Sequence, residues 1–168
     1  RRVLHRRVAE ALEQHFPERV EENLGPLAYH WEQAGEIGRA IPYLLRVGEK
    51  AAVQYANEEA RNYYQHAIEM LEGLEPNNAH QNWRLKALSS LGKLCFTEGK
   101  VPEAENYLRE AIAVGRTIQM NLQELLLLYH WLGETLWWQS RYEEHLRVGE
   151  DGLALLGDDK ESLAAALM

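Results

Sequence analysis

Cys95 is the only cysteine in a chain of 168 residues, which excludes an internal disulfide and favours a reducing compartment, the cytoplasm. Positive charge is in deficit as well: 18 lysines and arginines against 26 acidic residues give a net charge of -8. That balance opposes the phosphate backbone of nucleic acid and an anionic bilayer surface, so neither is expected as a partner. No signal peptide and no run of about 18 apolar residues occurs; the leucine run Leu125 to Leu128 is interrupted by Tyr129 and His130. Aspartate is nearly absent, with only Asp151, Asp158 and Asp159. β-Branched residues are scattered singly and do not alternate with polar ones, which removes the period-two signature of strands.

What remains is helix-forming sequence, and at 46% hydrophobic residues it is too apolar for a disordered tail. Breaks fall at Phe16-Pro17, Gly35-Glu36, Asn57, Glu75-Pro76-Asn77-Asn78, Gly99-Lys100, Asn121, Ser140 and Gly157-Asp158-Asp159. They predict eight helices and a truncated ninth: a leading helix over 1–16, helical repeats over about 20–156, and a cut helix over 159–168. Short turns between helices of similar length imply antiparallel neighbours, and no linker divides the chain, so 1–168 reads as one all-α domain. Arg1 in place of an initiator methionine, and the terminal apolar run Leu163 to Met168, give the expectation of a fragment of a longer protein.

The stretch Leu91 to Ile112 carries small residues where bulk would be normal. Leu91-Gly92, Gly99, Ala104, Leu108 and Ala111 align with Leu27-Ala28, Gly35, Ala40, Leu44 and Val47 at an offset of 64, and Leu132-Gly133 follows Leu91-Gly92 at an offset of 41. Ala60, Tyr64 and Ala67 form a partial copy whose first helix is the segment Arg39 to Tyr55. Two antiparallel helices approach closely only where side chains are missing, so Gly92 and Ala104 are expected to touch each other. Gly99 is expected to take a positive φ at a helix C-terminus, with Pro102 in the first turn that follows.

L-G-x2-C at Leu91, L-G-x2-L at Leu132, and A-x3-Y or A-x3-L at Ala60 and Ala104 resemble the tetratricopeptide repeat. Leu88 and Tyr129 stand at the usual tryptophan position, the terminal proline is missing after Ala111, and the last copy has His145 and Gly149 in place of Ala and an aromatic. The resemblance implies a right-handed α-α superhelix of about eight to nine antiparallel helices. The opening "RRVLHRRVAEALEQHF" and "LAYHWEQAGEIGRAIPYLLRVGEKA" also resemble the region that follows the ATPase module in STAND-type signalling ATPases, including those joined to nucleotide-cyclase or transcription-factor modules. That likeness implies a sensor or docking arm. The chain has no phosphate-binding loop of its own, since Gly48-Glu49-Lys50 and Gly92-Lys93-Leu94 both fail the pattern.

Catalytic chemistry finds no foothold, and no cofactor or metal is expected. His5, His15, His30, His66, His80, His130 and His145 include no pair three or four apart that would put two ligands on one helix face. Cys95 lies on an apolar face and reads as a core residue. The pairs Glu21-Glu22, Glu58-Glu59 and Glu143-Glu144 diverge by about 100° on a helix, and the latter two sit at helix starts where negative charge meets the dipole.

If the first helix of each pair lines a concave face, that face carries Glu22, Tyr29, Glu32 and Gln33, then Lys86, Ser89, Lys93, Phe96 and Thr97, then Leu127, His130, Glu134, Trp137 and Trp138. Of the adjacent tryptophans one is expected in the core, because both cannot share one narrow stripe. The function expected is a non-catalytic protein or peptide docking scaffold whose groove takes an extended or helical segment. A small-ligand sensor and a homodimerisation module built on the C-terminal helices are the alternatives.

Overall fold

The computed structural model describes residues 1–15 and 17–156; the expected helix over 159–168 lies outside the described residues. Among the described residues there are eight α-helices and no strand: α1 (Arg2–His15), α2 (Leu24–Ala34), α3 (Ile37–Val53), α4 (Asn57–Glu72), α5 (Asn78–Thr97), α6 (Val101–Thr117), α7 (Leu122–Trp138) and α8 (Tyr142–Ala154). A 3-10 turn over Pro17–Glu22 precedes α2, where the sequence led us to expect continuous helix. It contains no buried residue, and only Val20 packs partly against the core, too little apolar surface to fix a further α-helical turn.

Five connections share one device. Glu36, Ala56, Lys100, Met120 and Arg141 each donate a backbone N–H to the carbonyl five residues earlier, at 2.8 to 3.0 Å. The residue before each is left-handed: Gly35 (φ 82°), Tyr55 (61°), Gly99 (75°), Gln119 (52°) and Ser140 (59°). This is the Schellman closure, which satisfies the last carbonyls of a helix and reverses the chain. Gly99 behaves as expected, and Pro102 occupies the first turn of α6. The connection between α4 and α5 differs: Gly73 has an ordinary φ of -84°, and Asn77 caps α5 by accepting from the His80 N–H at 2.9 Å.

Every helix packs on the next in sequence, and contacts between alternate helices set the layers. Glu13 of α1 bonds Arg39 and Tyr43 of α3, Lys86 of α5 pairs with Glu49 of α3, and Phe96 of α5 meets Trp131 of α7 edge-on at 5.4 Å. On the other side Glu32 of α2 reaches His66 of α4, Gln65 of α4 reaches Tyr107 of α6, and Arg109 of α6 reaches Glu144 of α8. Thus α1, α3, α5 and α7 form one layer and α2, α4, α6 and α8 the other. This corrects the repeat register. The structure pairs α3 with α4, α5 with α6 and α7 with α8, so Gly48, Ala60, Tyr64 and Ala67 correspond to Gly92, Ala104, Leu108 and Ala111 at an offset of 44 (92 - 48). The offset of 64 matched helices of opposite layers, because Ala28 and Gly35 imitate Gly92 and Gly99.

The joint differs in detail as well. A Cβ on Gly92 would lie 2.7 Å from Cγ of Leu108, so the glycine receives the leucine side chain. Gly48 receives the Tyr64 ring in the same way, at 2.8 to 3.1 Å. Ala60 and Ala104 are fully buried one turn away, where a larger side chain would hold the helices apart. The core runs unbroken along the molecule. Tyr43 and Met70 join the cluster around Leu27 and Trp31 to that around Ile41 and Tyr64, and Ile68 and Tyr107 join the latter to the cluster around Leu108 and Leu132.

Candidate functional site

The α3, α5, α7 layer positions most of the residues singled out in the sequence. Lys86 and Lys93 stand exposed on α5, one on each side of Ser89, whose hydroxyl is turned back to the Lys86 carbonyl at 3.1 Å. Lys86 pairs with Glu49 at 2.8 Å, whereas Lys93 has no ion pair among the described residues. Phe96 is half-buried against Trp131, and Thr97 bonds its own helix at the Leu94 carbonyl. On α7, exposed Leu127 and His130 and half-buried Glu134 occupy one face.

Other placements differ from expectation. Tyr29 is exposed but belongs to the opposite layer, edge-on to the rings of His5 and His30 at 5.8 and 5.3 Å. Glu32 is engaged with His66, and Glu22 ends the 3-10 turn, paired with Arg19 at 2.8 Å. Gln33 shares α2 with them, so this group does not extend the α5–α7 face. Neither tryptophan enters the core: Trp137 is 53% exposed and Trp138 70%. The buried side of α7 runs through Leu125, Leu128, Leu132 and Leu136, and positions 137 and 138 fall beyond its edge. Trp137 instead lies against Tyr142 and His145, with ring centroids 4.9 and 5.5 Å away.

Between α7 and α8 opens a cavity of about 680 Å³. Leu126, Leu127 and Leu153 give it apolar walls, Gly149 and Gly152 come from α8, and His130, Glu134 and His145 are its imidazole and carboxylate groups. His145 is fixed by a 2.9 Å hydrogen bond between Nδ1 and the Gly133 carbonyl. Glu134 has neither a hydrogen bond nor an ion pair among the described residues, which leaves its carboxylate free for an incoming cation. Leu127, His130 and Glu134 were legible as one helix face; the cavity was not, because it depends on α8.

At the turn between α7 and α8 one charged cluster is tied down. Glu105 of α6 accepts from Gln139 and Arg109 at 2.9 and 2.8 Å and from Arg141, while Arg141 also holds Glu144 at 2.6 Å. Burial alone would push the Glu105 carboxyl up, but these donors hold it below the ordinary range. Cys95 is fully buried and its thiol is pushed up, first by burial and then by Glu103. The fold also makes a histidine contact that helix spacing does not reveal: Nδ1 of His5 and Nδ1 of His30 lie 2.9 Å apart across α1 and α2.

No family model matches the chain. It is similar to an uncharacterized protein of Rhizobium meliloti (strain 1021), R02095, with 29% identity over 140 residues, which is 82% of this chain and 13% of that protein. The chain thus spans a small part of the length of this relative. No helix among the described residues is long and apolar enough to cross a membrane.

Proposed function

We propose that the chain is a docking module of tetratricopeptide type, a right-handed superhelix of helix pairs that takes a peptide segment of another protein on its α3, α5, α7 layer. The observation that carries this reading is the solvent-facing set Lys93, Leu127, His130 and Glu134 beside the α7/α8 cavity: ionic and apolar groups side by side, on helices held rigid from behind. The glycine-centred joints at offsets of 44 and 41 support the repeat class. A site that engulfs a small molecule buries most of its surface. Here Gln123, Leu127, His130, Gly149 and Leu153 around the cavity are exposed, which favours a trough over a sensor pocket. The resemblance of the N-terminal stretch to STAND-type ATPases, and the much longer relative, fit an arm of a larger cytoplasmic signalling protein with no catalysis of its own.

Selection of a displayed library of short peptides tests the reading. The chain is expected to enrich peptides that the Lys93→Glu, Glu134→Lys double variant does not retain, with thermal unfolding unchanged, since both sites are outside the core. Equal retention by the variant excludes this face.

A further inference from the structure

The three internal helix pairs differ along one face of the second helix: His145 of α8 stands where α4 and α6 have Ala60 and Ala104, with Nδ1 3.3 Å from where a Cβ of Gly133 would lie, and the position after it on that face is empty. Tyr64 of α4 and Leu108 of α6 press against the glycine of the helix before them, whereas α8 has Gly149, with nothing within 4 Å of where its Cβ would lie. Gly152 likewise replaces Ala111. Loss of the plug opens the cavity between α7 and α8. In the preceding pair the matching surface, Leu108 and Ile112, is packed in one cluster with Leu125 and Leu128 of α7. The surface is therefore of a kind that apolar side chains cover.

We propose that this cavity is the anchor pocket for a partner segment that presents a bulky apolar side chain, aromatic or leucine, beside a lysine or arginine. The proposal rests on the docking reading above. Size argues for the bulky group, because a hollow of about 680 Å³ with leucine walls has room for an aromatic side chain, the residue type most often found as an anchor at interfaces. Charge argues for the cation: Glu134 is the only acidic or basic side chain apart from histidine at the cavity, it has no partner among the described residues, and the chain carries a net charge of -8. Lys93 occupies the matching position on α5 (134 - 93 = 41), one helix away. Helices in one layer lie about 10 Å apart, roughly three residues of extended chain. A partner acid about three residues from the cation therefore meets Lys93, which sets the direction of the segment.

Fluorescence anisotropy with a labelled short peptide bearing Phe beside Lys, and the same peptide with Glu for Lys, provides the test. The full chain is expected to prefer the lysine peptide by about tenfold. Gly149→Leu, which restores the plug where space is open, should weaken the lysine peptide by about tenfold or more at unchanged circular dichroism. Glu134→Lys should reverse the preference. Binding that Lys93→Glu abolishes but Gly149→Leu leaves intact keeps the docking reading and overturns the anchor pocket. No binding of either peptide, together with an unproductive library selection, overturns both. Binding that emerges only in a Leu163→Glu variant gives the cavity to the chain's own C-terminal segment and also overturns the proposal.

Discussion

Two glycines of similar appearance in the sequence have opposite energetic roles. At Gly92 an added Cβ would meet Leu108 at 2.7 Å, while at Gly149 it would meet nothing. Gly92→Ala should therefore cost about 1 to 3 kcal/mol by overpacking, whereas Gly149→Ala should stabilise by about 0.5 to 1 kcal/mol through helix propensity. Urea unfolding of the pair checks both signs. Titration adds a second residue-scale expectation. His30 is held below the ordinary imidazole range, first by burial and then by His5. The unfolded chain then binds more protons in mild acid, so stability is full above about pH 6.5 and falls as the pH drops below it. Glu105 acts in a separate window: its lowered carboxyl stabilises the fold above about pH 4.5 and loses that effect as the pH falls through its folded value. Urea midpoints across this range should fall in two phases, and His30→Gln should flatten only the upper one.

At the scale of elements, one carboxylate gathers the polar contacts of α1 with Trp31, Arg39 and Tyr43. Glu13, with 21% of its side chain exposed, accepts from Trp31 Nε1 at 3.0 Å, Tyr43 Oη at 2.7 Å and Arg39 at 2.6 Å. Arg39 in turn covers the Trp31 ring at 3.5 Å. Glu13→Ala orphans these donors and should cost about 2 kcal/mol or more, seen as faster amide exchange in α1, while Glu13→Gln keeps part of the set and costs less. None of this was legible in the sequence, because Glu13 and its partners lie on three different helices. Helix boundaries were legible, since Gly35, Gly99, Asn121 and Ser140 act within a few residues of themselves. Their pairing was legible in part: Ala60, Tyr64 and Ala67 placed the segment Arg39 to Tyr55 before them as a partner helix, but the match at an offset of 64 also joined α2 to α3 as a copy of α5 and α6, because Ala28 and Gly35 imitate Gly92 and Gly99 while Tyr55 takes the same left-handed turn as Gly99 without being glycine. The solvent-facing residues of α5 and α7 follow from helical spacing alone, whereas the place of Tyr29 depends on the register and that of the tryptophans on where the α7 stripe ends.

Over the whole molecule, exposed apolar groups occur at both ends: Val3, Leu4 and Tyr29 on α1 and α2, and Trp137, Trp138, Tyr142, Leu146 and Leu153 on α7 and α8, the latter 48 to 70% exposed. If the α7–α8 end pairs two copies, as the dimer alternative requires, sedimentation at rising concentration should show mass doubling that Trp137→Ser with Trp138→Ser removes. A monomer throughout excludes it and leaves the aromatic groups to other partners. The series Tyr64, Leu108, Gly149 runs in one direction: an aromatic plug, then an aliphatic one, then none. The described helices are thus graded along the array at this one repeated position. A single residue, at position 149, therefore sets whether the last described pair closes on itself like those before it or keeps a vacancy for company.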